Sequence, residues 1–396
     1  MTDQTPPTTT NRFTVRTLIL FLLPIILLAG VIALFLSTGG GLDLSSPVPI
    51  ENLTIERYRL ERGHIELRVQ NTGPAELTIA QMVINDAVMP FDVSPNASIP
   101  RLGKAIINVN YNWTEGEAYS VLIFTGSAIP FGVDIPVAFV SPQPNAKTFW
   151  SFTLIGLYVG VIPIFLGIFW LPALRTLGKR WMTFLMAVTI GLLIFLGLDT
   201  LVEAFDQAAI VPGAYQGIGL IGIGAVSTYM LLDMIGGLTS SGRSEASQRL
   251  SIAWRIALGI GIHNLGEGLA IGAAYNVGEI ALGTFLVVGF IIQNITEGLG
   301  IISPILRDRP TPGQLGLLGL IGGGPAIIGA WIGGYSPSPF LAVLFLAIGT
   351  GAIFQVAVEI SKLIQKDTAK QPMPGFVFSG VITGMLMLWV TGIFIK

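Results

Sequence analysis

Residues 263–301 read HNLGEGLAIGAAYNVGEIALGTFLVVGFIIQNITEGLGI, and the architecture turns on them. One phrase occurs twice, His263-Asn264-Leu265-Gly266-Glu267-Gly268-Leu269 and, thirty positions on, Gln293-Asn294-Ile295-Thr296-Glu297-Gly298-Leu299. In each, an imidazole or amide side chain precedes a carboxylate by four residues, so both lie on one face of a helix. The phrases fall midway along apolar segments. Ionisable groups at that depth cost roughly 3 kcal/mol each on insertion scales, so they mark function.

The rest of the chain fits a lipid environment. Of 396 residues, 52% are hydrophobic and 11% charged, with a mean hydropathy of +0.73. A soluble chain of this size needs far more surface charge. The 49 glycines suit close helix packing in lipid. A net charge of −2 gives no reason to expect a nucleic-acid partner. Cysteine is absent, which removes any disulfide frame and the thiolate ligands of a Cu(I) site.

Eight segments of membrane length follow residue 148, at about 149–172, 181–205, 214–237, 251–274, 279–303, 313–334, 339–364 and 374–395. The loops 174–180, 239–249, 307–312 and 362–371 carry Lys and Arg, whereas 206–213, 275–279 and 335–338 carry none. The positive-inside rule then puts the N-terminus in the cytoplasm and the C-terminus outside a cell membrane crossed nine times. The ninth span is 14–37, read as a transmembrane anchor after a disordered cytoplasmic tail, 1–13. A cleaved signal peptide is the rival reading, but the run is long and lacks an A-x-A site.

Between anchor and bundle, 45–145 alternates with period two in LTIERYRL, HIELRVQN, LTIAQMVIN, AIINVNY, YSVLIF and GVDIPVAFV, separated by Gly, Pro and Asn turns. That predicts an extracellular all-β sandwich of immunoglobulin-like type. Its sequons at Asn52, Asn96 and Asn112 are compatible with export. His64 reads as a surface strand histidine with no ligand partner in view. The expected fold class is therefore a polytopic α-helical membrane protein, an eight-helix bundle preceded by an anchor and a β-domain.

The two phrases lie on consecutive antiparallel helices and can meet at the bilayer midplane. His263, Glu267, Gln293 and Glu297 would supply an imidazole nitrogen, two carboxylates and an amide oxygen. Two carboxylates offset a divalent charge, and the mixed N/O set suits Zn²⁺, Fe²⁺, Mn²⁺ or Co²⁺. The plainer alternative is a hydrogen-bonded polar cluster that glues helices together.

HNLGEG followed by QNITEG resembles the paired signature, HNxPEG and [HQ][ED]xPEG, on the fourth and fifth helices of ZIP (Zrt/Irt-like) metal transporters. The resemblance covers 149–396; the anchor and β-domain lie outside it. It implies a first metal site of His263, Glu267, Gln293 and Glu297. The family's second site uses the fourth-helix Asn, present as Asn264, a fifth-helix acid, here Asn294, and a sixth-helix Glu, where this chain has Gly324 before Pro325. With two acids missing, a single-ion site is the expectation. Gly266 and Thr296 stand where the family has Pro. Loop 239–249 lacks the His-rich tract often seen in the family.

Further acids suggest a route. Asp199 and Glu203 lie near the outer end of their helix as an entrance, with Asp206 beyond, where acids attract cations; ordinary interfacial charge is the alternative. Glu359 resembles the family's seventh-helix acid and is read as an exit ligand. Gln355, one turn outward, either assists it or bonds a neighbouring helix. Asp233 reads as a cap or ion-pair partner near the basic loop.

The function implied is import of a divalent ion, zinc foremost with iron, manganese or cobalt as alternatives, and no enzymatic activity. The ion is substrate rather than prosthetic group. A sensor with a vestigial site is a second reading. An intramembrane metalloenzyme is a third, weakened because HNLGE lacks the HExxH pattern. Membrane lipid is the evident partner; a homodimer is one arrangement of an open oligomeric state, and the β-domain's partner is unspecified.

Overall fold

The computed structural model describes residues 15–38, 50–240, 244–276, 280–336 and 338–393. The expected tail 1–13 and residues 45–49 of the expected β-domain lie outside the described residues. The chain forms two compact units, Met1–Ile50 and Glu51–Lys396. The first holds α1 (Val15–Thr38), a 24-residue helix with Pro24 inside it and its described apolar side chains outward.

The second unit begins with two antiparallel sheets. One orders β1 (Leu53–Glu61), β2 (His64–Asn71), β7 (Lys104–Asn110) and β5 (Asp92–Ser94) as β1-β2-β7-β5. The other orders β4 (Ala87–Met89), β3 (Leu77–Ile84), β8 (Tyr119–Thr125) and β9 (Pro130–Ile135) as β4-β3-β8-β9, with β6 (Ser98–Ile99) added to β3. Alternate residues point inward, so Ile65, Leu67 and Val69 of β2 and Ile107 and Val109 of β7 meet Met82 and Ile84 of β3 and Val121 and Ile123 of β8 in one apolar core. The period-two runs mark the six long strands well. The three short strands β4–β6 escaped that reading because two or three residues show no period. The β3–β4 hairpin closes on Asn85 and Asp86, both at positive φ (45° and 65°), as a two-residue turn matching the strand twist requires.

The helical part comprises α2 (Ala146–Gly156), a π turn (Leu157–Val161), α3 (Ile162–Ile168), α4 (Leu171–Leu174), α5 (Lys179–Ala209), α6 (Gly217–Ser240), α7 (Glu245–Asn276), α8 (Ile280–Ile302), α9 (Pro312–Gly323), α10 (Pro325–Tyr335), α11 (Pro339–Thr368) and α12 (Pro374–Gly392). Among the described residues, seven helical segments are long and apolar enough to cross a membrane; α1 and α12 hold shorter apolar stretches, Leu22–Phe35 and Pro374–Val390. Seven of the nine expected spans are therefore full length by this measure. The first and sixth of the eight bundle segments are broken: one by the π turn, the other at Gly324–Pro325, where Pro removes a ladder donor.

Two helix groups emerge from the packing. α7 lies along α10 and contacts α8 and α9, with α3 against α8 and α2 against α10; α5 lies along α11 and α12, with α6 against α11; α7 against α11 forms the broad seam between the two. Backbone-to-backbone glycine contacts key the helices within each group. A Cβ on Gly268 would sit 2.2 Å from Ala326 O, on Gly329 2.1 Å from Leu265 O, and on Gly298 2.3 Å from Ile164 O. In the other group, a Cβ on Gly384 would sit 2.0 Å from Val188 O, and on Gly351 2.1 Å from Ala225 O. Along the α7–α11 seam the glycines are less tightly gripped. A Cβ on Gly259 would meet Ala352 Cβ at 3.3 Å, on Gly266 Leu346 Cδ2 at 3.0 Å, and on Gly349 His263 N at 3.5 Å.

Candidate metal centre

α7 carries His263 and Glu267 on one face, one helical turn apart, and their side chains meet, His263 Nε2 lying 3.2 Å from Glu267 Oε1. α8 brings Gln293, Asn294 and Glu297 against them. His263, Glu267 and Glu297 are buried and each offers a ligand atom within 4.8 Å of the others. Gln293 joins them: its Nε2 donates to Glu267 Oε1 at 3.1 Å, so it presents its nitrogen rather than its oxygen to the cluster.

The two asparagines anchor the site to the two broken helices. Asn294 Nδ2 donates to Glu267 Oε2 at 2.9 Å and to Val159 O, in the π turn, at 3.0 Å. Asn264 Nδ2 donates to Gly322 O at 2.9 Å, just before the Gly324–Pro325 break. Helix irregularities liberate carbonyls for such side chains. Gly324 lies at that break and contributes no side chain.

Thr200 of α5 is a participant that the sequence did not single out. Its hydroxyl donates to Leu196 O at 2.7 Å and lies 2.9 Å from His263 Nδ1. With the hydroxyl proton committed to Leu196, Nδ1 is the protonated nitrogen that donates to Thr200, which turns Nε2 toward Glu267 Oε1. A threonine bonding back one helical turn is a common sight in apolar helices, which hid this role.

A surplus of acceptors distinguishes the cluster. Among the described residues His263 Nε2 has only its 3.2 Å contact with Glu267 Oε1, and no well-formed hydrogen bond reaches either carboxylate oxygen of Glu297 or Oδ1 of Asn264 and Asn294. Buried polar atoms are ordinarily paired, so five such atoms from four side chains suit a cation better than helix glue.

Glu203, expected at the entrance, lines a cavity of about 490 Å³ that also touches Gly266, next to Glu267, and reaches β1 at Ile55–Tyr58. Asp199 is half-buried one turn deeper on α5. At the other end of the bundle Glu359 has two cationic partners, Arg255 at 3.4 Å and Lys362 at 3.7 Å, and Lys362 also reaches Asp233 at 3.6 Å. The expected exit ligand is thus an ion-pair member here, and Asp233 pairs as expected. Gln355 is buried with neither amide atom hydrogen-bonded among the described residues. His64 stays on the β-sheet, its Nε2 3.2 Å from Asn108 Oδ1 and its Nδ1 3.3 Å from Asn110 Oδ1, away from the centre.

No family model matches the chain, and no curated protein does.

Proposed function

We propose that the chain is a ZIP-like divalent-metal transporter that carries one ion at a time from the β-domain side to the cytoplasm. The observation that carries the reading is the cluster of unpartnered acceptors around His263, Glu267 and Glu297. Two carboxylates and a neutral imidazole balance one dication, and the donor set suits zinc foremost, with iron, manganese or cobalt as alternatives. Gln293 completes the set if its amide turns over to present oxygen, an exchange that costs little once a cation replaces the Glu267 contact.

Alternating access fits the way the helices are keyed. Each group is locked internally by close backbone contact at glycine, while on the α7–α11 seam a Cβ added at glycine would meet its neighbours at 3.0–3.5 Å. Glu203 and its cavity open between the groups at the β-domain end. At the opposite end three ion pairs cross between them: Arg255–Glu359 at 3.4 Å, Arg307–Asp367 at 2.8 Å and Glu245–Lys366 at 3.6 Å. This is the pattern of an outward-facing state, closed below. Release toward the cytoplasm requires those pairs to part, and Gln355 and Glu359 then become available to the leaving ion.

The topology supports the remaining parts of the reading. The positive-inside rule favours a cytoplasmic side for the ends of α7 and α11 that carry Arg249, Lys362 and Lys366. The sheet orders β1-β2-β7-β5 and β4-β3-β8-β9 correspond to an immunoglobulin-type sandwich. Purified protein in metal-free liposomes tests the proposal. Zinc influx is expected in the wild type and at least a tenfold loss in His263→Ala with Glu267→Ala. Equal influx in that variant sinks the site assignment.

A further inference from the structure

Beside the Glu203 cavity lies a second one, of about 550 Å³, between the outer face of β1-β2-β7 and the ends of the helices. The two share Ile55, Glu56, Arg57 and Ile210 in their walls, so they adjoin along β1. Strand alternation turns Arg68 of β2 and Lys104 of β7 toward the helices together with Glu56. With Arg57 that makes three cations against one carboxylate. Glu56 already pairs with Arg68 at 3.5 Å and with Lys104. Arg57 spends Nη1 on Tyr335 O at 3.2 Å, which fixes the guanidinium, while its buried Nε has no hydrogen-bond partner among the described residues. Tyr215 OH accepts from Gln70 Nε2 at 2.7 Å, which leaves its own proton to donate. Ile210, Pro212 and Phe340 supply an apolar floor.

A surplus of two positive charges beside the approach to a cation site repels the bare ion. The same surplus, on an arginine held in place with an unused donor, recognises anionic oxygen, and guanidinium forks match planar carboxylates bidentately. The apolar floor suits a carbon skeleton. The geometry points to a binding site for a small organic anion bearing two or more carboxylates. Such anions chelate divalent ions, so the site is where the ion arrives in complexed form, next to Glu203. There it exchanges the chelator's oxygens for those of the protein while Arg57 retains the chelator. Binding of the anion stands on the cavity alone; the delivery role rests on the transport reading.

The test uses the full chain in phosphatidylcholine nanodiscs, stripped of metal, with citrate as the probe in calorimetric titration. Saturable citrate binding is expected, at least tenfold tighter than acetate or inorganic phosphate and weakened at least tenfold in Arg57→Gln with Lys104→Gln. His263→Ala should bind citrate as the wild type does. Absence of saturable binding overturns the site, and so does binding indifferent to the Arg57 and Lys104 changes. Phosphate binding as tight as citrate overturns the carboxylate assignment. Loss of citrate binding on adding phosphatidylglycerol reassigns the cavity to a lipid headgroup and overturns it too. In liposomes at fixed free zinc, citrate should raise influx in the wild type and leave the Arg57→Gln rate unchanged. No influx under any condition would refute transport while leaving the calorimetric result standing, and influx indifferent to citrate would refute delivery alone.

Discussion

Glu267 and Glu297 are the same residue type, buried to the same degree in one cluster, yet neutralising each should move stability in opposite directions. Glu267 accepts two amide N–H groups, from Gln293 Nε2 and Asn294 Nδ2, whereas no well-formed hydrogen bond reaches either oxygen of Glu297 among the described residues. A buried acceptor without a donor costs about 1–3 kcal/mol, and more when charged. Glu297→Gln keeps the shape, removes the charge and adds a donor amid surplus acceptors such as Asn264 and Asn294 Oδ1. Metal-free protein should therefore melt higher in Glu297→Gln, by on the order of a few degrees for a gain of this size. Glu267→Gln turns an NH₂ group toward one of its two amide donors and should melt lower. Zinc reverses the first result: saturation at a hundred times Kd stabilises the wild type by about 2.7 kcal/mol, and Glu297→Gln, lacking an anionic ligand, should lose most of that gain. Intrinsic fluorescence of the seven tryptophans in metal-stripped detergent solution, with and without zinc, reads all three proteins. If Glu297→Gln melts lower without metal, or keeps the full zinc shift, the acceptor surplus is not a cation site.

Thr200→Val deletes the acceptor of His263 Nδ1–H at constant shape and should raise the zinc concentration for half-maximal influx by roughly 10–100-fold, as for other residues that orient a ligand, with Thr200→Ser restoring it. Gly268→Ala drives a Cβ to 2.2 Å from Ala326 O and should abolish the monodisperse peak in size-exclusion chromatography; Gly266→Ala meets only the movable tip of Leu346 at 3.0 Å and should leave it intact. Arg255→Gln removes a pair whose side chains are only 11% and 23% exposed and joins α7 to α11, so amide hydrogen exchange should quicken in 245–256 and 358–368 and stay unchanged in the β-domain.

What could be read in advance followed from periodicity. Spacing of four residues put His263 with Glu267 and Gln293 with Glu297 on shared faces, and the long strands and apolar segments declared themselves by periods of two and by length. Features set by contact between distant segments stayed hidden. Thr200 looks like any threonine bonding to its own helix, and only the packing of α5 on α7 brings it to His263. The π turn in LYVGV is marked only by Pro163 just after it, which lacks the N–H that Val159 O would otherwise receive, whereas the break at Gly324–Pro325 is legible in GGGP. Arg57 looks like an ordinary strand arginine until the helix ends close the cavity beneath it.

Asn294 shows why the one-ion reading is physically self-consistent. The resemblance to ZIP transporters puts an acid at that position, to help hold a second ion. Here the side chain is used as a donor: its Nδ2 serves Glu267 Oε2 at 2.9 Å and Val159 O at 3.0 Å together. A carboxylate could do neither. It would bring a third negative charge to hydrogen-bond distance of Glu267, leave the π-turn carbonyl without its donor, and need a second dication to hold the cluster together. Gly324, at the break in the neighbouring helix, offers no acid to share such an ion. The charge on the two remaining carboxylates equals that of one dication, so the asparagine that orients Glu267 also fixes how many ions the cluster can neutralise.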